Sequence, residues 1–302
     1  MKNWKKLIAL GLSAVLCLGL SACGNGGETN SPAPSGSAPA DTAPADTEPA
    51  DTTPADSTST GDYGEFTTIE EGKLIMATNA QFPPYEMVAD GEGFNGTGFE
   101  GIDIEIASAL ADKLGLELVI DDMEFDSALL AVQNNAADMM LAGLSYREDR
   151  DEVVDFSDSY ATGVQVVIVK EGSDVTLDNL GEYMIGTQRG TTGYLYASDV
   201  PENGGYGEDH VIAYDNGATA VQELINGTID AVIIDQQPAE EYVAANPDAG
   251  LTILPGNWVE EDYCLAVDEG NTALLNALNT ALNELISDGT VQSIIDKYIT
   301  AD

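Results

Sequence analysis

Arg150 stands in the run 141–160, LAGLSYREDRDEVVDFSDSY, with Glu148, Asp149, Asp151, Glu152 and Asp155 around it. Its guanidinium is a planar fork of donors that suits a carboxylate, so it is either an anion receptor or a surface charge shared with acidic neighbours. Asp235 closes the apolar run DAVIID. A carboxylate there is costly unless it meets a cation, caps the helix that follows around QPAEEYVAA, or faces solvent. Thr191 and Thr192 follow Gly190 where a strand gives way to a helix. They either donate hydroxyl and N–H groups to an anion or serve only as a helix cap. Other reactive chemistry is scarce. His210, the single histidine, lies in a polar loop, and Cys264 in DYCLAVD reads as a buried structural thiol. Neither Cys/His catalysis nor a His-rich metal site is expected, and no cofactor is implied.

The chain holds 10 Lys plus Arg against 53 Asp plus Glu, a formal net charge of -43. A phosphate-tracking surface needs clustered cations, so nucleic acid is excluded as a partner, and most of the acidity is assigned to solubility and surface repulsion. Three of the ten cations, Lys2, Lys5 and Lys6, precede the apolar run LIALGLSAVLCLGL. That run is too short to span a bilayer and reads as an export signal over residues 1–22. Leu20-Ser21-Ala22-Cys23 resembles the lipobox of bacterial lipoproteins, which implies a lipid on Cys23 and an extracytoplasmic anchor at the cell membrane. Residues 23–62 repeat Pro39, Pro44, Pro49 and Pro54 at five-residue spacing among Ala, Asp and Thr. With no apolar face and with acids repelling one another, they read as an extended tether. Once Cys17 leaves with the signal and Cys23 carries lipid, Cys264 has no partner for an internal disulfide.

Residues 63–302 carry the fold. Apolar runs at 73–78 (KLIMAT), 117–120, 138–142, 164–169, 183–187, 211–214, 230–235 and 263–267 (YCLAV) predict strands. Helical spacing lies between them. Ile104, Ala107, Leu110, Ala111 and Leu114 share one face, with Asp103 as the expected cap and Gly115 as the stop. Leu274, Leu275, Leu278, Leu282, Leu285 and Ile286 repeat the pattern between Asn271 and Gly289. The alternation is α/β. An internal echo, ALLAVQNNAADMMLAG against TAVQELINGTIDAVIID, places a helix, a stop and an Asp-led strand in both halves, as two related lobes would. In open α/β sheets ligands lie beyond the carboxyl ends of strands. The stretches ATNAQFPPYE, LAGLSYREDR, GTQRGTTGY and IIDQQP all fall there.

The ordered motifs FPPYE, GIDIEIA, AGLS with the following Arg150 and VDFSDSY, GTT, DAVIID and LNELISDGTVQSIIDKYI resemble the family 3 bacterial extracellular solute-binding proteins. These are the polar amino-acid receptors of ABC importers, and the likeness runs from residue 73 to the end. It implies a two-lobed periplasmic-binding-protein-like (type II) fold, two mixed sheets joined by a two-strand hinge. The crossings are expected near 160–164 and 260–264, with lobe 1 at about 63–161 and 263–302 and lobe 2 at about 162–262. It further implies that Arg150 binds a ligand carboxylate, helped by Ser145, by backbone near Ala142 and Gly143, and by Thr191 and Thr192 of the second lobe. Asp235 would take the ammonium, while Phe82 and Phe125 would sandwich the side chain. Asn79, often aspartate in relatives, and Ile234, which can be histidine, depart from the pattern. With Gln188 they leave amide and basic ligands open. Arg147 replaces a hydroxyl usual at its position. The expected partners are a free amino acid and membrane permease subunits, with the receptor itself a monomer. The rival readings are a dehydratase-like enzyme on the same fold and the ligand-sensing partner of a signalling receptor.

Overall fold

The computed structural model describes residues 58–59 and 63–300. The predicted signal, Cys23 and nearly all of the tether lie outside the described residues. A short antiparallel pair, β1 (Thr58–Ser59) and β2 (Glu65–Phe66), precedes the first lobe. That lobe begins with β3 (Lys73–Thr78), then β4 (Gln81–Phe82), β5 (Glu86–Val88) and β6 (Phe99–Glu100), which form a small antiparallel sheet of their own. Helix α1 (Ile102–Leu114), β7 (Glu117–Asp122), α2 (Phe125–Gln133), β8 (Met139–Met140) and β9 (Val154–Phe156) follow. Strand β10 (Ala161–Lys170) then leaves for the second lobe.

The second lobe comprises β11 (Ile185–Gln188), α3 (Thr192–Ser198), β12 (Val211–Tyr214), α4 (Gly217–Asn226), β13 (Ala231–Asp235), α5 (Gln236–Ala245) and β14 (Leu251–Ile253). Strand β15 (Val259–Tyr263) returns, and β16 (Ala266–Asp268), α6 (Thr272–Ser287) and α7 (Thr290–Tyr298) complete the first lobe. The sheet orders are β7-β3-β8-β16-β9 and β12-β11-β13-β10-β14. In both, the first three strands are parallel and the next runs against them. The first half of β10 pairs antiparallel with β15, Ala161 opposite Tyr263 and Gln165 opposite Val259, and this ribbon connects the lobes.

The internal echo extends to hydrogen bonding. Asp138, before β8, accepts the N–H of Ile75 at 2.8 Å, and Asp230, before β13, accepts the N–H of Met184 at 3.0 Å. In each lobe an aspartate after a helix ties its own strand to the start of the parallel neighbour.

Strands β3 and β12 keep the predicted bounds, because short apolar runs in a covered parallel sheet have little other use. Helix α1 buries the predicted face and stops at Gly115 in the left-handed conformation. Its start is different. Gly101 caps it at φ 132, where an added Cβ would stand 2.2 Å from the Tyr85 carbonyl oxygen, so only glycine fits. Asp103 is not the cap but a fully buried residue of the first turn, and its carboxylate accepts the Gly143 N–H and the Tyr160 hydroxyl, each at 2.8 Å. In α6 the buried face is Leu274, Ala277, Leu278, Ala281, Leu282 and Leu285, while Ile286 is exposed. YCLAV is not one strand: β15 ends at Tyr263, and Cys264 and Leu265 turn the chain into β16. Cys264 is buried, and its thiol is pushed up to about 12 by burial and then by Asp262 and Asp158, so it is held as an inert thiol.

Candidate functional site

The carboxyl ends of β3, β8, β11 and β13 converge on a narrow cavity of about 20 Å³ between the lobes. It is lined by Asn79, Phe82, Glu86, Phe125, Ala142, Gly143, Ser145, Arg150, Gln188, Thr191, Thr192 and Asp235. Every ligand-contact residue expected from the sequence lies on this wall, and Glu86 is added to them. A larger, shallow depression near α3, lined by Asp199, Glu208, Asp209 and His210 among others, gathers no such convergence of donors and acceptors.

Each lining residue has a local reason to be there. Asn79 directly follows β3 and donates to the Met123 carbonyl at 2.8 Å, which ties it to the turn leading into α2. Phe125 opens α2 and lies 5.6 Å from the Arg150 guanidinium carbon. Gly143 has φ 51, and a Cβ on it would meet Phe82 Cε1 at 2.6 Å, so the ring needs glycine beneath it. Thr191 is the N-cap of α3, accepting the Tyr194 N–H at 3.4 Å, while also facing the cavity; the cap and a ligand contact are compatible. Asp235 sits at the N-cap position of α5 but makes no side-chain cap bond, which removes the capping alternative.

Arg150 is only 5% exposed and belongs to no ion pair among the described residues. Its Nη1 donates to the Ser145 carbonyl and its Nη2 to the Gly190 carbonyl, both at 2.8 Å, so the guanidinium bridges the lobes. The surface pairing that the acidic run suggested belongs to Arg147 instead, whose Nε and Nη2 donate to the two oxygens of Asp149 at 2.8 and 3.1 Å. Burial, and then repulsion from Arg147, lower the Arg150 pKa to about 10, which leaves it charged at neutral pH.

The acid side is denser than the sequence suggested. Asp235 accepts from Gln165 Nε2 at 2.7 Å and from the Tyr263 hydroxyl, yet burial and then Glu261 raise its pKa to about 7. Glu261, on β15, accepts from Ser145 Oγ at 2.9 Å, Thr192 Oγ1 at 2.8 Å and Gln165 Nε2 at 3.1 Å. Glu86 is fully buried and neither of its oxygens accepts a hydrogen bond. Burial, and then the neighbouring Asp103, hold its carboxyl well above the usual carboxylate range. Burial raises Asp103 itself to about 6.

Further bonds cross the cleft. Gln188 Nε2 donates to Asn79 Oδ1 at 2.9 Å, and the Tyr242 hydroxyl of α5 donates to the Gln81 carbonyl at 2.7 Å. Sequence reasoning missed Glu86, Gln165, Glu261 and Tyr263 as members of this network. Glu86 had a usable signal, since it ends the FPPYE stretch just beyond a strand that points at the site.

A cleft between two hinged α/β lobes, with opposite charges on facing walls, is the architecture of a protein that encloses a small solute. Residues 74–301 match the model of the bacterial extracellular solute-binding proteins, family 3, and the chain belongs to that family. It is a binding protein and not an enzyme. Among its relatives, the arginine-binding extracellular protein ArtP of Bacillus subtilis is 32% identical over 76% of this chain and 87% of its own. A solved structure of an ancestral arginine-binding protein bound to arginine is 37% identical, with TM-score 0.68 over 76% of this chain and 98% of that one. The ancestral arginine-binding protein bound to glutamine is 35% identical, with TM-score 0.68 over 77% of this chain and all of that one. No helix among the described residues is long and apolar enough to cross a membrane.

Proposed function

We propose that the protein captures a basic L-amino acid, arginine foremost, outside the cytoplasmic membrane and delivers it to the permease of an ABC importer. The observation that carries this reading is the make-up of the cavity lining, where one guanidinium, that of Arg150, meets two buried acidic side chains, Asp235 and Glu86. An α-carboxylate answers Arg150 and an α-ammonium answers Asp235. A second cation on the side chain is what a buried Glu86 without a hydrogen-bonded partner favours. Phe82 and Phe125 supply flat faces for an aliphatic stem. The amide alternative rests on Asn79 and Gln188, which already bond to each other. The relatives' arginine ligands agree with the basic reading, and the glutamine complex keeps the amide as its nearest rival.

The test is thermal unfolding against the common amino acids. Arginine at a hundred times its dissociation constant is expected to stabilise the protein by about 2.7 kcal/mol. Glu86→Gln is expected to narrow the gap between arginine and glutamine. A panel in which no amino acid moves the midpoint overturns the reading.

The location proposed with it is a lipid anchor on Cys23, with residues 23–62 as the spacer that lifts the domain from the bilayer. The support is the Leu20-Ser21-Ala22-Cys23 motif after a charged and apolar start. Cys23→Ser is expected to release the protein from the membrane fraction while solute binding stays unchanged. Mutant protein that still takes up labelled lipid refutes the anchor.

A further inference from the structure

Arg147 takes no part in the cavity wall. It follows Ser145 by two residues on the first lobe, and its guanidinium carbon lies 4.8 Å from the ring centroid of Tyr196, on α3 of the second lobe. The arginine side chain is 16% exposed, against 59% for Asp149, so the cation is largely withdrawn from water although its partner carboxylate is not. Asp149 holds one edge of the guanidinium through two hydrogen bonds and leaves a face for the ring. Tyr196 is braced in turn, edge-on to Trp258 at 6.3 Å, and Trp258 stacks on Tyr206 at 6.3 Å and donates to its hydroxyl at 3.2 Å. Trp258 immediately precedes the connecting strand β15.

We propose that Arg147 and Tyr196 form a latch between the lobes that holds the closed state over the Arg150 end of the cavity. The pair is a positioning element and touches no solute. The Arg147–Asp149 pair lies within one loop of the first lobe, so it is the same in the open and the closed form and does not bias that equilibrium. The cation–ring contact differs, because its partners sit on opposite lobes and separate when the cleft opens. Its whole energy therefore favours the closed form, and Asp149 acts by fixing the guanidinium plane. A device of this kind slows solute escape without improving the first encounter, which takes place with the open form.

The test uses the full chain and arginine as the solute, and so rests in part on the reading given above. Arg147→Ala and Tyr196→Leu are each expected to raise the dissociation rate about three- to tenfold, with association unchanged or faster, since solute meets the open form. Tyr196→Phe keeps the ring and is expected to retain most of the parent rate. The double variant is expected to be little worse than either single one, the signature of a shared contact. Trp258 provides the kinetic signal, because Trp4, the only other tryptophan of the sequence, lies in the export signal read over residues 1–22. Independently of any solute, small-angle scattering without added ligand is expected to show a larger radius of gyration for Arg147→Ala than for the parent. Unchanged dissociation in variants that still bind arginine overturns the latch and leaves the arginine reading intact. Failure of the parent to bind arginine overturns that reading, and scattering then decides the latch alone, an equal radius refuting it.

Discussion

Arg150→Ala is expected to weaken solute binding by at least about 2 kcal/mol while the fold is kept, the scale for removing one partner of a desolvated charge pair. The structure makes the case stronger than a charge count would. The guanidinium is buried, faces Phe125, and has both terminal nitrogens anchored on carbonyls of opposite lobes. No other cation lines the cavity. On the proposed reading, truncation removes the counter-charge of the solute carboxylate, and with it an inter-lobe bridge. Arg150→Lys is expected to recover only part of the loss, because one ammonium cannot reproduce two parallel donors. Asp235→Asn is expected to weaken binding as well, by depriving the solute ammonium of its partner. Calorimetric titration with arginine measures all three, and circular dichroism checks the fold. A folded Arg150→Ala protein that binds like the parent removes the arginine from the site.

Solute affinity is expected to rise with pH up to about 7 and then level off, while the solute-free protein becomes less stable over the same interval. Asp235 has its pKa raised from 3.8 to about 7, chiefly by burial. A raised carboxyl favours the folded state fully below its unfolded pKa, and that contribution is lost as pH rises through the folded value. Asp103, raised to about 6, acts in the same direction. An ammonium beside Asp235 requires the charged form, so below about 7 binding must release a proton and affinity falls by up to about tenfold per pH unit. Solute-free unfolding midpoints from pH 5 to 8, compared with those of Asp235→Asn, isolate the group. If the variant keeps the parent's full slope, Asp235 is not the titrating residue.

What the sequence made legible was carried by compact apolar runs bounded by polar residues. Strands β3 and β12 were readable because apolar runs of that length have few alternatives in a covered parallel sheet. The little sheet β4-β5-β6 was missed, since strands of two or three mixed residues carry no period, and β9 and β14 failed for the same reason. Strand β8 shrank to Met139–Met140 because the apolar run past it leaves the ladder to reach the cavity. In the site, local sequence left Arg150 and Asp235 undecided between solvent, cap and ligand; the ordered motifs pointed to the cleft, and the fold brings both residues to the same cavity from opposite lobes. Glu261 was out of reach. One acid among 53 shows no function until Ser145, 116 residues earlier in the chain, is seen to donate to it.

The sheet order of the first lobe has a consequence for how the chain acquires its structure. β16 lies between β8 and β9, so β9 joins that sheet only through a strand that follows the whole second lobe in sequence. Helices α6 and α7, which pack on α1, come later still. The second lobe, by contrast, pairs its strands within one continuous stretch of chain. It can therefore close before the C-terminal segment arrives, while the first lobe waits with an open sheet edge and an uncovered α1. Such a topology lets the middle of the chain fold ahead of its ends, and α7, the last helix in sequence, sets Lys297 and Tyr298 against Glu105 in the lobe that carries Arg150.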